Sequence, residues 1–64
     1  WNTAYKALIL FTEENGNARV PLRFRTADNF KLGYWVSNQR RARKKGSLSR
    51  EKEERLQNLQ GWYW

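Results

Sequence analysis

Apolar side chains recur with a helical period at the start of the chain. Trp1, Tyr5 and Leu8 follow one another at steps of four and three residues. Such steps place side chains on one face of an α-helix, so the pattern predicts an amphipathic helix over residues 1–15. Leu10 falls on the opposite face of that helix, where we expect it to be exposed.

Residues 17–30 show no helical period, and an extended segment is expected there. The residue before a proline disfavours the helical region, so the Val20-Pro21 pair pushes the chain into an extended conformation. Leu22 and Phe24 alternate with arginines, which predicts that the apolar pair points inward. We expect an ordered loop, with these apolar residues holding it to the core: Val20, Leu22, Phe24 and Phe30.

A second helical pattern follows the loop. Asp28 and Asn29 are both good N-cap residues, so the helix is predicted to begin near residue 29 and to end at Lys45. Its inward stripe contains Leu32, Trp35, Val36 and Gln39. Gly33 inside the helix costs roughly 1 kcal/mol relative to alanine, which suggests that another element approaches closely at this position.

The third helix is predicted over residues 50–60, with Ser49 as its N-cap. Glu51 and Arg55 are four residues apart, a spacing that favours an ion pair. Gly16, Gly46 and Gly61 each follow one of the three segments, as glycines that end helices do. Trp62 and Trp64 are expected to close the core. The predicted fold is therefore an all-α, compact three-helix bundle with an ordered extended loop between helices 1 and 2.

Composition narrows the class of protein. The chain has 64 residues with no Cys and no His, so disulfides and the usual zinc sites are excluded. Burial of the four Trp, three Tyr and three Phe must compensate for the small size. No apolar run is long enough to span a membrane. We expect a single domain over 1–64, cut from a longer chain, monomeric by itself, cytoplasmic, and without a cofactor.

The charge of the chain is concentrated in its middle. The formal net charge is +7, and residues 19–45 contain nine basic residues against Asp28 alone. A cluster of one sign attracts acidic polymers, nucleic acid above all. A solvated helix face, an acidic protein partner and a membrane surface are the alternatives.

The helical wheel of the second helix separates its basic residues. Gln39 lies in the inward stripe, so we predict a structural role with hydrogen bonds to the loop backbone, the alternative being contact with a ligand. Arg41, Lys44 and Lys45 point outward, whereas Arg40 lies at the border of the stripe. Tyr34 shares the outer face, either as an ordinary half-exposed tyrosine or as a base-stacking residue. The candidate nucleic-acid contacts are Arg23, Arg25, Lys31, Tyr34, Arg40, Arg41, Lys44 and Lys45.

Several motifs together resemble the helicase-associated domain, a short module found alongside DEAD/DEAH-type helicase cores. The residues that carry the resemblance are Trp1, Tyr5 and Leu8, Gly16 with Val20-Pro21, Leu32-Gly33-Tyr34-Trp35-Val36 with Gln39-Arg40, Gly46 and Leu48, Leu56, and Gly61-Trp62-Tyr63-Trp64. The family reads LGxWVxxQR in its second helix and closes on a G-aromatic-x-W motif. Trp62 departs from it, because the family usually has Phe there.

The resemblance implies a compact all-helical domain that assists nucleic-acid engagement by a larger helicase-like protein. The chain has no GxxxxGK[ST] motif, so it contains no P-loop for ATP and we expect no enzymatic activity. The alternative is a docking or spacer module that packs against neighbouring repeats or a helicase core.

Overall fold

The first helix, α1 (Asn2–Asn15), forms where the amphipathic repeat is clearest. Ala4, Leu8 and Phe11 provide its buried face. Gly16 ends it in the left-handed conformation, with φ of 77°, and donates its N–H to the Thr12 carbonyl at 2.7 Å. The computed structural model describes all of residues 1–64, and its helix α1 matches the predicted one to within a residue.

The second helix, α2 (Leu32–Lys44), begins three residues later than predicted. Asn29 has a positive φ of 67°, which is incompatible with the first turn of a right-handed helix. The preceding residues instead close a tight loop, in which the Thr26 N–H donates to the Phe30 carbonyl at 3.0 Å. The N-cap position is Lys31, which makes no side-chain capping bond. The prediction of an Asp28 or Asn29 cap was therefore wrong.

The third helix, α3 (Arg50–Gln57), begins at the predicted cap. The Ser49 hydroxyl accepts the Lys52 backbone N–H at 3.2 Å. The helix ends at Gln57, short of the predicted Gln60. The chain turns away because the Gln60 carbonyl accepts the Ala18 N–H at 2.7 Å, which ties this segment to the loop after α1.

The largest fully buried side chains come from all three helices. Leu8 of α1, Leu32 and Val36 of α2, and Leu56 of α3 each have 0% exposure and meet in one cluster. Trp62 and Trp64 pack against this cluster from the C-terminal end, as predicted. The result is a compact all-α domain of 31 × 20 × 18 Å, in agreement with the predicted class. No helix combines the length and the apolar character that crossing a bilayer requires.

The loop between α1 and α2 is ordered but turns more sharply than predicted. Val20 is buried and the Phe24 ring packs edge-on against Phe11, with ring centroids 4.9 Å apart. Leu22 is 51% exposed, so the prediction that it points inward was wrong. The Phe24 N–H donates to the Pro21 carbonyl at 3.0 Å, and this turn breaks the alternation that an extended strand would have. Phe30 lies at the surface.

Gly33 lies where the loop crosses α2. A Cβ placed on Gly33 would overlap the backbone carbonyl oxygens of Pro21 and Leu22. The Gly33 N–H also donates to the Phe24 carbonyl at 3.2 Å. The predicted close approach is therefore confirmed, and the approaching element is the backbone of the loop.

Gln39 is buried as predicted, but its partner differs from the predicted one. Its side-chain carbonyl accepts the Trp1 indole N–H at 2.8 Å instead of a loop backbone group. The bond joins the start of α1 to the middle of α2. Sequence periodicity placed Gln39 inward but held no information about which element would face it.

The predicted Glu51–Arg55 ion pair is absent. The Arg55 guanidinium lies over the Tyr5 ring at 4.5 Å and over the Trp1 ring at 5.1 Å. The Tyr5 hydroxyl in turn donates to the Arg55 carbonyl at 2.9 Å. These contacts link α1 to α3, and they draw Arg55 away from its helical neighbour.

Candidate nucleic-acid interface

Three cations project from the outer surface of α2 near its C-terminus. Arg41 and Lys44 lie in its last turn, and Lys45 follows immediately as the C-cap residue. All three are exposed. The two ion pairs of the domain, Arg43–Glu53 and Arg50–Glu54, involve none of them. We call Arg41, Lys44 and Lys45 the basic face.

The negative end of the helix dipole accounts for only part of this arrangement. A cation near a helix C-terminus stabilises the helix by about 0.3–1 kcal/mol, an effect that is confined to the last turn. Three neighbouring cations also repel one another, and no carboxylate offsets that repulsion here. The basic face therefore retains a positive field directed at solvent, which attracts anions.

The other two basic residues of the same run, Arg40 and Arg43, are engaged by α3 and the C-terminal segment. The Arg40 guanidinium lies 3.9 Å from the centre of the Tyr63 ring, and its Nε–H donates to the Tyr63 carbonyl at 2.9 Å. Arg43 pairs with Glu53 at 3.5 Å and lies over the Trp64 ring at 4.8 Å. The structure thus separates Arg40 from the other candidates of the run, since its guanidinium holds the C-terminal segment.

Two polar groups beside this contact have no hydrogen-bond partner. They are the Nη2 of Arg40 and the indole nitrogen of Trp62. The Arg40 guanidinium lies 5.1 Å from the Trp62 ring centre, so it contacts the faces of both Trp62 and Tyr63. Its attraction to the two rings compensates in part for the missing hydrogen bond.

The loop candidates form a second group at the other end of α2. Arg23, Arg25 and Lys31 are exposed, and the loop that carries them crosses α2 at Gly33. The Arg25 guanidinium donates to the Asn29 side chain at 3.1 Å. At 1.5 Å per residue, Gly33 lies roughly 16 Å from Lys44 along the helix. The candidates therefore form two groups along α2 and not one cluster.

Tyr34 lies between the two groups. It is 45% exposed and precedes Arg41 by seven residues, so both side chains lie on one side of α2. Tyr63, which is not among the predicted nucleic-acid contacts, is 54% exposed and borders α2 through Arg40. Periodicity could not have found it, because Tyr63 lies beyond the last helix.

An apolar groove lies between α1 and the loop. It has a volume of about 780 Å³, and nine of its 14 lining residues are hydrophobic. Leu10 lines it and is 60% exposed, which confirms the predicted outward position of that leucine. Its other apolar lining residues include Ala7, Phe24, Phe30 and Trp35.

These features define a small all-α domain with a basic helical face and no cluster of acidic, Cys or His residues that could hold a metal ion. The chain belongs to the helicase-associated domain family, because the family model described as "Helicase associated domain" matches residues 1–64. This match confirms the resemblance, and the family is one of domains associated with helicases. No curated protein and no solved structure matches it.

Proposed function

We propose that this domain is a non-catalytic accessory module that binds the phosphate backbone of nucleic acid for a larger helicase-like protein. The observation that carries the proposal is the basic face, whose three cations are exposed and free of carboxylate partners. The membership of a helicase-associated family supports it. The domain offers no arranged pair of carboxylates, so we assign it no chemistry of its own.

The third helix is a poorer candidate for contact with nucleic acid. It carries Glu51, Glu53 and Glu54 among its eight residues, and these would repel phosphates. Its cations are also engaged, since Arg50 pairs with Glu54 at 3.3 Å and Arg55 lies over aromatic rings of α1. The basic face of α2 is therefore the better element, and backbone contacts favour affinity over sequence readout.

The loop arginines extend the surface. A nucleic-acid strand presents a phosphate every few ångströms, so one strand can meet both groups along α2. Arg23, Arg25 and Lys31 would contact phosphates near the start of α2, and Tyr34 could stack between the groups. We assign Arg40 mainly to anchoring the C-terminal segment through its contacts with Tyr63, and only secondarily to phosphate binding.

The proposal is tested by a salt titration. Binding of a labelled duplex and a labelled single strand, each as DNA and as RNA, is measured by fluorescence anisotropy at several salt concentrations. Each lost phosphate contact lowers the slope of log K against log salt by about 0.9 for duplex DNA. The triple change Arg41→Ala, Lys44→Ala and Lys45→Ala should thus lower it by about 2 to 3.

A matched control removes the same charge elsewhere. Lys6, Arg19 and Arg50 are exposed and lie outside the basic face. Changing these three to alanine should leave the slope near that of the unchanged chain. Equal losses from both triple variants would mean that net charge and not the basic face controls binding, and no binding at low salt would overturn the proposal.

A second candidate function is docking to a protein, and the apolar groove favours it. A groove this size with Leu10 at its edge buries apolar surface when a neighbouring repeat or the helicase core of the parent chain covers it. Leu10→Asp should then weaken that association in co-sedimentation, while Leu22→Asp, equally apolar and exposed but outside the groove, should not. Unchanged association with Leu10→Asp would exclude this surface.

A further inference from the structure

Tyr63 has an unusual combination of exposure and fixed orientation. Its ring is 54% exposed, yet its inner side is held by the Arg40 guanidinium at 3.9 Å from the ring centre. The Tyr63 backbone carbonyl also accepts the Arg40 Nε–H at 2.9 Å. The Tyr63 hydroxyl makes no hydrogen bond within the domain. The contact with Arg40 therefore fixes the orientation of the ring and leaves its other face open to solvent.

The helix geometry places this ring beside the basic face. Arg40 precedes Lys44 by four residues and follows Ser37 by three, so the three side chains lie on the same side of α2. Tyr63, stacked on Arg40, therefore lies along one edge of the basic face. Tyr34 lies on the side of α2 that carries Arg41, roughly 10 Å nearer the start of the helix.

An oriented aromatic ring beside phosphate-binding cations has the chemistry that recognises an unpaired base. Single-strand binders combine a positive surface with rings on which bases stack, and stacking is tolerant of sequence. The guanidinium that fixes the inner face reduces the entropy lost when a base stacks on the outer one. Bases in a duplex are already stacked on their neighbours, so they cannot use the ring without unpairing.

We infer that Tyr63 is a base-stacking platform, and that it gives this domain a preference for single-stranded nucleic acid. The inference rests on the nucleic-acid-binding function proposed above and adds the class of strand. A base stacks on the outer face of Tyr63 while the neighbouring phosphates meet Lys44 and Arg41. Arg40 acts as a positioning residue for the ring.

The test compares single-strand and duplex affinity for variants of Tyr63. The probes are a fluorescein-labelled mixed-sequence strand of about 15 nucleotides, within the range of small single-strand sites, and its duplex. Anisotropy is measured at low salt with DNA and with RNA. Tyr63→Ala should lower the ratio of single-strand to duplex affinity by about fivefold or more. Tyr63→Phe, which retains the ring, should preserve the ratio.

A second variant separates stacking from folding. Removing the ring uncovers Arg40, so Tyr63→Ala could loosen the C-terminal segment. Tyr63→Leu keeps an apolar cover but offers no aromatic face, and it should lower the ratio as Tyr63→Ala does. The urea midpoint of each variant, followed by far-UV circular dichroism, verifies that the fold is retained.

The possible outcomes separate this inference from the proposed function. An unchanged ratio in Tyr63→Ala and Tyr63→Leu, with binding still lost in the Arg41, Lys44 and Lys45 triple variant, would overturn the stacking role alone. Equal losses of single-strand and duplex affinity in a folded Tyr63 variant would overturn it too. Failure of the unchanged chain to bind any of the probes would overturn both.

Discussion

Substitution of Gly33 by alanine tests the packing of the loop on α2, because two effects of opposite sign compete there. In an open helix, Gly→Ala stabilises by about 1 kcal/mol. Here the new Cβ would lie 2.5 Å from the carbonyl carbon of Leu22 and would overlap the carbonyl oxygens of Pro21 and Leu22. These are backbone atoms, so no side-chain rotation relieves the overlap.

The structure allows the size of the effect to be worked out. Overpacking costs about 1–3 kcal/mol. Moving the loop would also strain two hydrogen bonds, Gly33 N–H to the Phe24 carbonyl at 3.2 Å and Phe24 N–H to the Pro21 carbonyl at 3.0 Å. Each contributes about 0.5–1.5 kcal/mol. After subtraction of the helix-propensity gain, a net loss of about 1–5 kcal/mol is expected, with the upper end reached only if both hydrogen bonds are lost.

That loss is large for a domain of this size. At 0.05–0.15 kcal/mol per residue, 64 residues have a free energy of unfolding of about 3–10 kcal/mol. Urea unfolding followed by tryptophan fluorescence and by circular dichroism would measure the change. One kcal/mol corresponds to about 4–8 °C in Tm for a domain this small, so thermal unfolding gives an independent reading.

The matched control is Asn38→Ala, an exposed position of the same helix. It gains helix propensity without meeting the loop, so it should be neutral or slightly stabilising. The same sign for both substitutions would refute the reasoning. A Gly33→Ala variant as stable as the unchanged chain would show that the loop does not cross α2 as described.

Two further changes test single hydrogen bonds by urea unfolding. Trp1→Phe leaves the buried Gln39 side-chain carbonyl without its donor, which should cost about 1–3 kcal/mol of unfolding free energy. Adding Gln39→Leu should recover part of that loss, because the unpaired polar group is then removed. If the double variant is no better than Trp1→Phe, the hydrogen bond is not the cause. Ser49→Ala removes the N-cap of α3 and should cost about 1 kcal/mol, whereas Ser49→Asp should retain most of the stability. Equal stability of the two variants would contradict the capping role.

Local signals were sufficient for much of the fold. The amphipathic repeat placed α1 correctly, Ser49 marked the start of α3, and Gly33 indicated a close contact inside α2. Gly33 marks, by its missing side chain, a contact with loop residues 11 and 12 positions earlier in the chain. The helical period and the Ser49 cap depend only on residues within one or two helical turns. A helical period and a capping side chain act over that range, so the sequence contains the information directly.

The errors arose in the loop, where hydrogen bonds of its own tight turns compete with the preference of a single residue. Asn29 has a strong tendency to cap a helix, but the loop closes through Thr26 and Phe30 and leaves Asn29 in the left-handed region. Leu22 was placed inward from an alternation that the Pro21 turn interrupts. In both cases a hydrogen bond across the loop outweighs a preference of a few tenths to one kcal/mol.

In the candidate site, too, some features follow from the sequence and others depend on the tertiary structure. The sequence by itself determined that the charge is concentrated in the middle of the chain and that Arg41, Lys44 and Lys45 point outward from a helix. The helical wheel placed Arg40 at the border of the inward stripe, but only the tertiary structure showed the aromatic partners of Arg40 and Arg43. These partners are distant in the chain, since Arg40 and Tyr63 are 23 positions apart. A helical wheel gives the direction of a cation but not its partner, which depends on how the whole chain folds, and that folding also placed Tyr63 against Arg40.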